Sequence, residues 1–155
     1  MEWQGTLKGT FEIQDHKLAT DSSLYPPPAP LDTGSGSATL EKGLDNLVRL
    51  GKDTPIPGCM LSFNSGSPKR DSTGAASSFE YKINQDAPIK RDGPGGMSGC
   101  VGRIGKGAPL GEIEIDHAAV SIQKDGEFYI GIDYRDKGDY DKKRILQIKG
   151  TRGWF

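Results

Sequence analysis

The sequence predicts an all-β fold, a sandwich or jelly roll, on three observations. Glycine and proline together are abundant, 22 and 10 of 155 residues, and both are poor inside helices and common in turns. Short apolar stretches alternate with polar residues in the period of a strand. Turn signals separate these stretches along the whole chain, as in sandwiches and jelly rolls. The length predicts one domain, residues 1–155, large enough for a real core.

Taken in order, Trp3, Leu7, Phe11, Ile13 and Leu18 alternate loosely with polar residues and predict one or two strands over residues 1–20. Tyr25-Pro26-Pro27-Pro28-Ala29-Pro30 fits neither a helix nor a central strand and reads as an extended, polyproline-like connection. A ligand for a proline-reading domain is its sharper reading. Asp32 to Ser37 reads as a turn cluster. Residues 38–50 read as two short strands around a turn at Glu41-Lys42-Gly43. The spacing of Leu40, Leu44, Leu47 and Val48 gives a short helix as the alternative, at a cost of about 1 kcal/mol for the central glycine.

Cys59 to Phe63 is a strand, Asn64 to Ser78 a long polar loop, and Phe79 to Ile83 a half-exposed strand. Asp86 to Gly99 is a second loop. Gly99 to Leu110 reads as a short strand running into a glycine turn. Ile113 and Ile115 alternate with Glu112, Glu114 and Asp116, and Ala118 to Ile122 follows as a second strand. Lys124-Asp125-Gly126 is a hairpin turn. Phe128 to Ile132 is apolar on both faces and reads as a central strand. Arg144 to Lys149 closes the pattern with Leu146 and Ile148 on one face.

A formal net charge of −1 argues against a nucleic-acid binder driven by phosphate neutralisation. No apolar run approaches the roughly 20 residues that cross a membrane. The first ten residues lack the cationic start and apolar core of a signal peptide. The expectation is a soluble chain, either cytoplasmic or exported without a recognisable signal. Cys59 and Cys100 allow a disulfide closing a long loop or two buried thiols, and two cysteines alone make no zinc site.

The segment from Asp133 to Asp141 concentrates chemistry. Asp133, Asp136, Asp139 and Asp141 lie within nine residues, with Gly138 allowing a bend. Such a loop supplies the oxygens calcium requires. Arg135, Lys137, Lys142 and Lys143 are interleaved and offer the alternative of plain charge pairing, which is worth little at a surface. Tyr134 and Tyr140 add aromatic faces that stack on sugars, while Trp3 and Trp154 read as anchors for the chain ends.

Other motifs say less. Asp32-Thr33-Gly34-Ser35 matches the short aspartic-protease signature, but a proline-rich stretch precedes it instead of an apolar strand. The glycines at 99–107 do not have phosphate-loop spacing, since Lys106 is followed by Gly107. Asp133 with Gln147 and Lys149 gives a weak nuclease-like pattern. His16 and His117 belong to no nucleophile frame.

Three segments resemble the bacterial galactophilic lectin (PA-I type) family and its related domains: Met1-Glu2-Trp3-Gln4-Gly5, Val101 to Pro109, and Gly126 to Asp133 with Asp141 and the Leu146/Ile148 alternation. The match is firm over residues 99–149. It implies a jelly-roll β-sandwich (galactose-binding-like) and a calcium ion that holds galactose hydroxyls. Where the family carries Asn-Asp this chain has Asp133-Tyr134, and where it carries a second Asp/Asn pair this chain has Asp141-Lys142.

The expected function is therefore a non-enzymatic, carbohydrate-binding, lectin-like module that takes a glycan or glycoconjugate. Asp133, Tyr134, Asp136 and Tyr140 are its ligand residues, and Asp133, Asp136, Asp139 and Asp141 its calcium ligands. It forms no nucleic-acid complex and does not insert into a membrane, and pairing of sheet edges would give a homo-oligomer. The alternative is a protein-interaction module on the same fold with a degenerate sugar site.

Overall fold

The computed structural model describes residues 5–42, 46–63, 69–70, 76–82, 90–91, 100–123, 126–139 and 141–153. Its strands are β1 (Gly5–Asp15), β2 (Asp32–Lys42), β3 (Asn46–Leu50), β4 (Cys59–Phe63), β5 (Lys69–Arg70), β6 (Ala76–Lys82), β7 (Lys90–Arg91), β8 (Val101–Gly102), β9 (Gly111–Gln123), β10 (Glu127–Asp136) and β11 (Lys143–Gly153). A single helical turn, α1 (His16–Ala19), follows β1. Among the described residues no helix is long and apolar enough to cross a membrane.

The strands form one antiparallel sheet in the order β5-β6-β9-β10-β11-β1-β2-β3-β4-β7, with β8 added beside β9. The longer strands run β6-β9-β10-β11-β1-β2-β3-β4 and nearly close the sheet on itself. The all-β expectation holds. The jelly-roll sandwich is not confirmed, because that fold packs two sheets face to face, whereas these strands follow a single hydrogen-bonded path with non-consecutive neighbours at β6-β9, β11-β1 and β4-β7.

Alternation fills the inside. On β1 the inward residues are Leu7, Phe11 and Ile13; on β10 they are Phe128, Ile130, Ile132 and Tyr134; on β11 they are Leu146 and Ile148. With Val48, Leu61, Val120 and Ile122 they form one hydrophobic cluster. Burying each such side chain contributes about 1.5–3 kcal/mol.

The two flanks meet across a Cys59–Cys100 disulfide, so these cysteines are not free thiols. Beside it, Arg103 N donates to Pro55 O at 3.0 Å and Ile113 N to Cys100 O at 3.0 Å. The segment after Cys100 is thereby drawn across one mouth of the sheet. There Arg103 donates to the buried Asp32 carboxylate at 3.2 and 3.3 Å and lies 5.9 Å above the Phe11 ring. Arg144 donates to Ile104 O at 2.9 Å and to Asp15 at 3.1 Å. Asp32 is thus an internal ion-pair partner, and the protease-like signature has a structural explanation.

Several sequence expectations change. Asp32 to Ser37 is the first half of β2 rather than a turn cluster. Gly34 sits opposite Phe11, and a Cβ there would come within 2.8 Å of its ring, so the glycine makes room for an aromatic. Of the predicted 1–20 stretch, the described residues 5–20 hold one strand and one helical turn. The 38–50 stretch is strand to strand, as expected in preference to a helix, and residues 43–45 lie outside the described residues. The loops at 64–78 and 86–99 contain β5, the start of β6, and β7. Residues 111–123 form one strand with a bulge, not two. His117 pairs with Asp133 but Ile115 with Tyr134, so Asp116 is the extra residue. That shift moves the inward set from Ile113 to Ala118, Val120 and Ile122, which is why the pattern reads as two phases. Trp3 and Trp154 lie outside the described residues.

Gly9 of β1 and Gly150 of β11 are direct partners, and each lies where the other strand's backbone leaves no space for a Cβ. Lys149 O stands against Gly9 and Lys8 O against Gly150. Nothing lies within 4 Å of a Cβ placed on Gly105. Gly9→Ala or Gly150→Ala is therefore expected to cost about 2 kcal/mol or more, while Gly105→Ala stays within about 0.5 kcal/mol of wild type. Urea unfolding of the three variants checks this.

Candidate functional site

The outward side chains of β10 build a polar face with an aromatic floor. Strand alternation turns Tyr129, Gly131 and Asp133 outward as Phe128, Ile130 and Ile132 turn in. Register sets Tyr129 between Lys149 and Ser121, Gly131 between Gln147 and Ala119, and Asp133 between Ile145 and His117. A Cβ on Gly131 would be 2.7 Å from the Tyr129 hydroxyl and 2.9 Å from its ring. The absent side chain at 131 therefore lets the tyrosine lie down along its own strand, its hydroxyl toward the Asp133 end.

Neighbouring groups fix that ring. Lys149 Nζ lies 6.0 Å from its centroid. Burial pushes the Tyr129 phenol pKa up, a hydrogen bond with Gln147 pulls it down, and the Asp133 charge pushes it up. Asp133 Oδ2 is 3.9 Å from His16 Nε2, and both side chains are about a third exposed, 30 % and 32 %. Past Tyr129, Ser121, Glu127, Lys149 and Thr151 line a shallow concavity of ≈ 510 Å³. The face thus offers an aromatic surface, a carboxylate, an amide, hydroxyls and an ammonium. Those groups suit a ring that is apolar on one side and hydroxylated at its edge.

Among the described residues singled out from sequence, Asp133, Tyr134 and Asp136 do not share one surface. Asp133 belongs to this face. Tyr134 does not: it is 0 % exposed, and its hydroxyl donates to Arg103 O at 2.7 Å. A stacking role for Tyr134 is therefore corrected, since the strand period that turns Asp133 outward turns its neighbour into the core. Asp136 ends β10 and lines a separate concavity of ≈ 490 Å³ with Ile104, Pro109 and Lys137. Asp139 accepts from Asp141 N at 3.2 Å. Tyr140 lies outside the described residues.

Among the described residues no three of His, Cys, Asp and Glu are grouped to hold a metal ion. Three of the four interleaved cations serve another strand: Arg135 donates to Glu114 at 2.6 Å and pairs with Asp116, Lys137 lies 3.5 Å from Glu112, and Lys143 lies 4.0 Å from Asp116. They neutralise the acidic edge of β9 rather than the loop. Tyr129 is the residue sequence reasoning missed. Its signal is the spacing Tyr129-x-Gly131-x-Asp133, which a strand resolves onto one face.

Burial pushes the Tyr134 phenol pKa well above its ordinary value, outweighing the nearby Arg144 and Arg103 charges. A folded pKa raised above the unfolded one means the contribution is complete below about pH 10 and is lost as pH rises from there toward the folded value. Tyr134→Phe is expected to cost about 1–2 kcal/mol at pH 7 through the lost hydrogen bond. Above about pH 10 wild type should lose up to about 1.4 kcal/mol per pH unit more than the variant. Urea unfolding at pH 7, 9 and 11 measures both, and equal pH slopes for the two proteins would contradict it.

No family model, no curated protein and no solved structure matches this chain.

Proposed function

We propose that the chain is a carbohydrate-binding, lectin-like module whose ligand lies on the Tyr129 face. The carrying observation is the tyrosine laid flat over Gly131 with Asp133, Gln147 and Ser121 around it. Stacking on the ring supplies apolar contact, and the carboxylate and amide accept and donate to hydroxyls at the edge of the sugar. The resemblance to galactophilic lectins over residues 99–149 supports a sugar as the ligand class. The reading depends neither on jelly-roll connectivity nor on calcium, since it uses one sheet face and Asp133 alone of the four aspartates.

A glycan array followed by calorimetry on the best glycan tests it. Tyr129→Ala should weaken binding about tenfold, and Asp133→Asn by a similar factor. Asp139→Asn and added EDTA should change nothing. Absence of any glycan binding, or wild-type affinity in Tyr129→Ala, would sink the reading and favour the alternative of a protein-interaction module.

A further inference from the structure

A second pocket lies away from the Tyr129 face, beneath the segment joining β1 to β2. Asp15 caps α1 by accepting from Leu18 N at 3.2 Å, and the returning chain docks through Leu31 N to Ile13 O at 2.7 Å. Between them is a pocket of ≈ 280 Å³. Leu18, Leu24 and Leu31 line it with Pro27 and Pro28. Those leucines are 43 %, 36 % and 42 % exposed, so a packed fold leaves three large apolar side chains partly in water around one concavity. Leu18, Leu24, Tyr25 and Leu31 are four of the five large hydrophobics exposed among the described residues. Such clustering marks a binding surface, unlike the single exposed apolar residue found on any protein.

The pocket's size and charge narrow the occupant. Its volume matches a single ring or short branched chain rather than a helix or strand. Its charged lining residues are Asp15 and Asp21, with no lysine, arginine or histidine among the lining. Both Asp15 oxygens are engaged, by Leu18 N and by Arg144 at 3.1 Å. Asp21 stands at the solvent side and accepts from Ser23 N and Oγ, which holds its carboxyl below the usual range and so keeps it charged.

We infer that this pocket binds a small organic cation, with an apolar body between Leu18, Leu24 and Leu31 and a protonated amine facing Asp21. Burial of the leucines supplies the affinity and the carboxylate selects the charge. No bond forms or breaks.

The test is an amide NMR titration of the full chain with benzylamine, benzyl alcohol and benzoate. Benzylamine should give saturable shifts confined to residues Gln14–Leu31, and should bind about three- to tenfold more tightly than benzyl alcohol. Asp21→Asn should remove that preference, and Leu24→Lys should abolish binding, both positions being exposed enough to leave the fold intact. Shifts absent from Gln14–Leu31, benzoate binding as tightly as benzylamine, or self-association of the free chain through Leu24 would each overturn the inference.

Discussion

Closure of the sheet is the constraint on which the remaining features depend. An open antiparallel sheet of this length would present two unpaired edges. Here the Cys59–Cys100 bridge and the Arg103 N to Pro55 O hydrogen bond tie the β4 flank to the β8–β9 flank. The bridge closes a loop of 41 residues and stabilises by roughly 3–4 kcal/mol through the unfolded chain. Its larger effect is positional: it lays residues 100–110 over the mouth. From there Arg103 reaches Asp32 with its guanidinium and Tyr134 with its carbonyl. One segment thus satisfies a buried carboxylate and a buried phenol that would otherwise be unpaired, each at a cost of about 1–3 kcal/mol or more.

Among the described residues the interior of this nearly closed sheet is filled by side chains. Leu7, Ile13, Ile130, Ile132, Leu146 and Ile148 are all 0 % exposed, and the mouth is occupied by the Phe11, Arg103 and Asp32 stack. The candidate site accordingly uses the outer face. Among the described side chains of that face, Tyr129 lies flat because Gly131 lets it. The same glycine that weakens a strand by lacking a side chain creates the floor of the candidate site.

The strands were legible wherever one face is apolar at period two. Leu146 to Ile148 is such a case, Phe128 to Ile132 was legible instead as a short run apolar on both faces, and the fold class followed from both. Glycine misled in the Asp32–Ser37 stretch, because Gly34 serves the Phe11 ring across the sheet and not a turn, and only tertiary packing reveals which. The bulge at Asp116 hid the continuity of β9, since one inserted residue inverts every later side chain. In the candidate site Asp133 was legible as a carboxylate near a loop. Tyr134 was misread because composition drew attention to an acidic loop while the strand period decided its face. Tyr129 escaped notice for the converse reason: an aromatic in a run apolar on both faces reads as core until register shows which side it takes.

Native-state hydrogen exchange, compared between the oxidised protein and a Cys59→Ala/Cys100→Ala variant, tests the closure account most directly. The account predicts that amides of β3, β4, β8 and the first half of β9 lose protection while those of β10, β11 and β1 keep it. Equal protection throughout, or a uniform loss across all strands, would contradict the claim that this bridge closes the sheet.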